Sequence, residues 1–187
     1  MADHVCPPWI GRLLLSPLRK LFENPNKVLG PFVREGMVVL EPGCAMGFFT
    51  LPLARMVGPE GRVIAVDIQT EMLAALERRA AKAGLVDRIE FREAGSEGLG
   101  IEDLARSADF CSLIHVAHEV PDQFRLFGEI CNTLKPDGKL LVIEPGWHVS
   151  EEDFKVSLTA AGAAGLQKIE SAEVQGDRKA LFERKDS

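Results

Sequence analysis

From residue 37 onward the chain alternates short apolar runs with helical stretches, and that alternation leaves few folds open. MVVLE (37–41), RVIAVD (62–67), IEF (89–91), DFCSLIHV (109–116) and KLLVIE (139–144) have the length and the β-branched content of strands. A helix is predicted between Gly47 and Gly58. The clearest one covers 69–83, where Met72, Leu73, Leu76, Ala80 and Ala83 keep helical spacing and Gly84 supplies the stop. A weaker helix is predicted over 101–106. Pro121 opens another, carrying Phe124, Phe127, Ile130 and Leu134, and KPDG (135–138) reads as a turn. Glu151–Ala163 is a helix that Gly165 ends, and two last strands near 166–173 and 178–184 form a hairpin around Gln175-Gly176-Asp177. Near-continuous apolar strands separated by helices belong to a parallel sheet covered on both faces. The expected fold is α/β: a doubly wound, mostly parallel seven-stranded sheet ending in an antiparallel hairpin. Such sheets bind ligands beyond the carboxyl ends of their strands. Attention therefore falls on the loops at 41–49, 67–70, 115–121 and 144–151.

Charge and composition narrow the function further. The 187 residues carry a net charge of −6, which argues against broad binding to nucleic acid. No apolar run is long enough for stable insertion in a membrane, and HVCPPWIGRLLLSPLRKLF lacks the basic start and cleavage site of a secretory signal. Cys6, Cys44, Cys111 and Cys131 are scattered, with no CxxC pair, which fits reduced thiols in a cytoplasmic protein. Residues 1–34 read as an N-terminal helical lid or cover: Ile10, Leu13 and Leu14 share a face, Ser16-Pro17 starts a second helix, and Asn24-Pro25 a third that stops at Gly30. Residues 35–187 form the ligand-binding domain. A homodimer is compatible with the sequence.

The loop EPGCAMG (41–47) is close to the dinucleotide fingerprint GxGxxG, but Ala45 replaces the middle glycine and an acid, Glu41, ends the strand. Asp67 ends the second strand twenty residues after Gly47, where a carboxylate can accept both hydroxyls of a ribose. This combination favours a nucleoside with a cationic end over a pyrophosphate.

Those residues carry a resemblance. VVLEPGCAMGFFT resembles the first motif of the class I S-adenosylmethionine-dependent methyltransferases, VIAVDIQTEML their ribose-binding segment, and LKPDGKLLVIEP their late motif. The resemblance covers roughly 37–185 and implies the Rossmann-like methyltransferase fold of that family, with S-adenosylmethionine as cofactor and a small molecule as methyl acceptor. By the same resemblance Glu41 lies near the methionine ammonium, and Gly43, Cys44, Ala45 and Gly47 near the methionine part. Asp67 holds the ribose, and Ile68 packs on adenine. Gly95 and Ser96 stand where the family often has Asp-Ala against the adenine amine, and His115 touches the cofactor through its backbone. Non-catalytic binding of S-adenosylmethionine and nicotinamide-dependent oxidoreduction are the alternatives.

The acceptor side is read from the histidines. His115 and His118 follow the fourth strand, His148 follows the fifth, and His4 is N-terminal. They can converge with Cys6, Glu119, Glu144 and Trp147, although Trp147 can equally be core. A neutral histidine can take the proton of an O–H, N–H or S–H acceptor, so His115, His118 and His148 are the catalytic candidates, with His115 or His118 as base. The same three histidines could hold a transition metal, but His-x-x-His-Glu lacks the helical HExxH spacing and no metal is assigned. The cysteines form no thiolate trio of the arsenite-binding kind.

Overall fold

The computed structural model describes residues 23–174 and 176–185. The expectations for His4, Cys6, the first two helices and Gln175 lie outside the described residues. The elements run α1 (Pro25–Leu29), β1 (Val38–Pro42), α2 (Thr50–Met56), β2 (Arg62–Asp67), α3 (Thr70–Ala83), β3 (Ile89–Glu93), β4 (Ala108–Ile114), α4 (Gln123–Thr133), β5 (Leu134–Glu144), α5 (Glu151–Ala163), β6 (Leu166–Val174) and β7 (Asp177–Arg184), with 3₁₀ turns at Val86–Arg88, Glu102–Leu104 and Ala117–Glu119. The strands form one seven-stranded sheet in the order β3-β2-β1-β4-β5-β7-β6. The doubly wound reading is borne out, including its antiparallel end. The chain falls into two compact units that divide after Ser96.

In the first unit β1, β2 and β3 pair in parallel, with Leu40 opposite Ile64 and Ala65 opposite Phe91. Val39, Leu40 and the whole run Val63–Val66 are fully buried. Each such aliphatic side chain contributes about 1.5–3 kcal/mol relative to exposure, so the strand ends that carry the loops are firmly held. β1 sits one residue later than expected. The Asn24 side chain caps α1 by accepting the Asn26 amide at 3.0 Å, as its sequence suggested.

In the second unit β4 and β5 are parallel, and β7 lies antiparallel between β5 and β6. Four details differ from the sequence reading. The helix expected over 101–106 is a single 3₁₀ turn, because Ala105 leaves the helical region at ψ 129 and Arg106 takes φ +52. Asp122, not Pro121, opens α4: its side chain accepts the Arg125 amide at 3.0 Å. Leu134 is the first residue of β5, not part of the helix before it. The KPDG turn is a bulge within that strand, since Ala108 faces Leu134 while Phe110 already faces Lys139. Asp137 turns the backbone at φ +59, and Lys135 pairs with Asp109 at 2.6 Å. No helix among the described residues is long and apolar enough to cross a membrane.

Candidate functional site

The loop after β1 is built by three left-handed residues at alternate positions: Gly43 (φ +70), Ala45 (φ +46) and Gly47 (φ +82). The Cys44 amide donates to the Val66 carbonyl at 3.0 Å, and the Gly47 amide to the Cys44 carbonyl at 2.9 Å. Close packing adds a second constraint at Gly47. A Cβ at this position would lie 2.2 Å from Leu76 Cδ1 of α3. Asp67 ties the loop to the end of β2: its Oδ2 accepts the Ala45 amide at 2.8 Å, and its Oδ1 accepts the Gln69 amide at 2.9 Å. The Asp67 carbonyl takes the Ala94 amide at 2.9 Å, which fixes the start of the exposed Gly95-Ser96 segment. Ile68 is half-exposed, an apolar surface beside this acid.

Arg79 of α3 holds the loop, a role that sequence reasoning missed. Its guanidinium donates to the Met46 carbonyl. Burial lowers its pKa. The available signal was its place three positions after Leu76, on the same face of α3.

Burial shapes the electrostatics of the loop. Glu41 is almost completely buried, and its pKa rises to about 8: desolvation raises it, the nearby Thr50 hydroxyl pulls back, and the Asp67 charge adds to the rise. Yet Glu41 Oε2 and Thr50 Oγ1 meet no hydrogen-bond geometry with any described residue. Burial also raises Asp67, against the lowering effect of the Gln69 and Ala45 amides, and pushes the Cys44 thiol well up.

The second unit holds the histidine cluster. His115 lies just beyond β4 at φ +60, and its amide donates to the Ile143 carbonyl at 2.7 Å. Glu144 ends β5 and is fully buried. Its Oε1 accepts the Ala117 amide at 2.8 Å, and its Oε2 pairs with His118 Nδ1. The His118 ring meets that of exposed His148 edge-on, with centroids 5.2 Å apart and planes at 75°. Trp147 lies against His148 at 5.3 Å. Its ring is 86% exposed, which excludes the core reading. Burial would lower the His118 pKa, but the Glu144 hydrogen bond and the charges of Glu144 and Glu119 outweigh it and raise the group above its ordinary value. So His118, His148, Trp147 and Glu144 do come together. Cys111 and Cys131 are buried packing thiols.

Comparisons with known proteins agree with this architecture. The methyltransferase domain family matches residues 33–185. A ubiquinone/menaquinone biosynthesis C-methyltransferase of Hahella chejuensis is 35% identical over 112 residues, 60% of this chain and 44% of that protein. A demethylmenaquinone methyltransferase of Lactobacillus johnsonii is 31% identical over 112 residues, 60% of this chain and 45% of the relative. The chain thus spans less than half the length of these curated relatives. Among solved structures, a SAM-dependent methyltransferase from Aquifex aeolicus superposes with a TM-score of 0.83 at 25% identity, covering 96% of this chain and 98% of its own.

Proposed function

The chain belongs to the class I S-adenosylmethionine-dependent methyltransferase family, and from that premise we propose that it transfers the sulfonium methyl group of S-adenosylmethionine to a small-molecule acceptor. The observation that carries this reading is Glu41. A buried carboxyl oxygen with no donor costs on the order of 1–3 kcal/mol. A ligand ammonium brought against it supplies the missing donors and a compensating charge. S-adenosylmethionine has such a group at its methionine end, and this loop suits it better than it suits a pyrophosphate.

The rest of the loop supports the same ligand. Asp67 spends one lone pair of each oxygen on a loop amide, and an ionised carboxylate offers about four acceptor sites, so two remain for the ribose hydroxyls. Half-exposed Ile68 suits the adenine face, and the exposed Gly95-Ser96 segment suits the nucleoside end. The bound cofactor supplies an activated methyl group and a neutral leaving sulfur. The chain's own residues bind it, orient it and exclude water from the line of attack.

For the acceptor, His118 and His148, whose rings meet in the second unit, are the candidate residues, with His115 beside them in sequence. The exposed Trp147 ring next to His148 offers a stacking face. Together with the quinone-pathway relatives, it favours a flat ring as acceptor.

Calorimetric titration with S-adenosylhomocysteine tests the reading, on the wild type and on Asp67→Ala, with NADH as control. The expected result is micromolar binding, about −8 kcal/mol, that weakens strongly in the variant. Absence of binding, or binding indifferent to Asp67, overturns the proposal. Binding without turnover of any acceptor would favour a regulatory protein instead.

A further inference from the structure

We infer that Glu144 and His118 form a proton-accepting dyad, in which buried Glu144 fixes the imidazole as its Nδ1–H tautomer and leaves Nε2 as the atom that takes the acceptor's proton. The inference rests on the methyl-transfer reading and deepens it: it assigns a positioning residue, a ring nitrogen and a property of the acceptor.

The argument starts from Glu144. Ionised carboxylates only accept hydrogen bonds. One oxygen is committed to the Ala117 amide at 2.8 Å and the other to His118 Nδ1. The Ala117 amide holds the carboxyl group in one orientation, so the oxygen facing the ring stays an acceptor. Nδ1 must then carry a hydrogen. In a neutral imidazole with Nδ1–H, the lone pair sits on Nε2. No described residue takes up Nε2 of His118.

The surroundings fit a group that changes charge. Glu144 faces His118 from β5, Glu119 from the same 3₁₀ turn, and the His148 ring from the loop after β5. The two carboxylates stabilise the imidazolium that forms. His148 is exposed and meets the His118 ring edge-on. A second layer holds the turn in place: Gln123 Nε2 donates to the Ala117 carbonyl at 2.9 Å, and Ser157 Oγ donates to Gln123 Oε1 at 2.8 Å.

The step balances as follows. The acceptor's X–H bond breaks, and the proton forms an N–H bond with His118 Nε2. The electron pair left on X forms the new bond to the methyl carbon. The carbon–sulfur bond of the sulfonium breaks, and its pair stays on sulfur. The acceptor is therefore a molecule that arrives still carrying a removable proton at the methylated atom. Thioethers and tertiary amines have none and are poor matches.

The test uses the full chain with ¹⁵N-labelled histidine. Long-range ¹H–¹⁵N spectra across a pH titration read the His118 tautomer. Diethyl pyrocarbonate, followed by peptide sequencing in the mass spectrometer, reads the reactivity of its free nitrogen. The wild type is expected to show Nδ1–H in the neutral form, a raised midpoint, and carbethoxylation of His118 while folded. In Glu144→Gln the oxygen keeps the Ala117 amide and the new NH₂ faces Nδ1. The tautomer should flip to Nε2–H, the midpoint should fall, and carbethoxylation should slow by about tenfold or more. An Nε2–H tautomer in the wild type, or a His118 inert to the reagent until the chain unfolds, overturns the inference; so does an unchanged tautomer in a folded Glu144→Gln. If the variant does not fold, the wild-type spectra and modification decide alone. Calorimetry with S-adenosylhomocysteine on the wild type is read separately: its failure sinks the methyl-transfer reading whatever the tautomer.

Discussion

Asp67 Oδ2 accepts the Ala45 amide at 2.8 Å, so the acid that ends β2 also holds the loop that follows β1. Asp67 therefore tethers the loop, and the proposed function gives it a second role toward the ribose. Asp67→Ala leaves the Ala45 and Gln69 amides without their acceptor. Hydrogen bonds to a charged group are worth about 1.5–3 kcal/mol each, reduced here by the burial of the carboxylate. The expected loss is about 2 kcal/mol in denaturant unfolding, together with at least about a tenfold loss of S-adenosylhomocysteine affinity, the order that one lost ribose bond supplies. A variant that loses affinity at unchanged stability would show that the loop needs no tether.

Ala45 is the position where this loop departs from the glycine-rich pattern, and the backbone there is still left-handed at φ +46. A left-handed alanine costs roughly 1–2 kcal/mol. Glycine removes that cost but gains about 0.4–1 kcal/mol of unfolded-state entropy. Ala45→Gly should therefore stabilise the protein by about 0.5–1 kcal/mol, measured as a raised denaturation midpoint at constant slope. A lowered midpoint would mean that the alanine methyl makes packing contacts that outweigh the strain.

Gly47→Ala should behave in the opposite way. The added Cβ would sit 2.2 Å from Leu76 Cδ1, at a residue with φ +82. Strain and overpacking add, for a loss of about 2–4 kcal/mol. Trimming the obstacle tests the cause. Gly47→Ala combined with Leu76→Ala should cost less than the sum of the two single changes, because the second change removes the clash. Strict additivity would locate the whole cost in the backbone.

These positions also mark what the sequence made legible. Strands β1, β2, β4 and the second half of β5 were readable because a buried parallel strand is written as a continuous apolar run, and RVIAVD is such a run. Gly43, Gly47 and Asp67 were readable because their spacing reflects local geometry within one strand–helix–strand unit. The KPDG turn was recognisable, but its absorption into β5 depends on the partner strand, where one residue, Asp109, faces four. The 101–106 helix failed because apolar spacing says nothing of an Arg106 in the left-handed region. Pro121 and Asp122 were readable together as helix-start residues from side-chain preference, and Asp122 is the one that caps. The pairing of Glu144 with His118 spans 26 residues and two strand ends, and no local pattern encodes it. Histidine positions showed where to look; only the fold selects the carboxylate that orients the ring.

Glu41 gives the sharpest pH dependence. Its pKa is about 8 in the folded protein against an ordinary 4.5. Below pH 4.5 both folded and unfolded chains hold the proton, and the group takes nothing from stability. Between 4.5 and 8 the unfolded chain ionises while the folded chain does not, so stability falls as pH rises; above 8 the loss is complete. Glu41→Gln removes this dependence and should be more stable than the wild type at pH 8.5 by up to about 5 kcal/mol, with the advantage fading toward pH 4.5. Binding reports the same proton. With a pKa of about 8 Glu41 is mostly protonated at pH 7, and on the proposed reading a ligand ammonium favours the carboxylate, so S-adenosylhomocysteine should release about one proton. Calorimetry in phosphate and in Tris, whose ionisation heats differ, measures that release directly. The expected variant result is a proton count near zero with weaker binding. A wild type that binds without releasing a proton would mean that Glu41 is already ionised in the empty loop, and that another donor satisfies its buried oxygen.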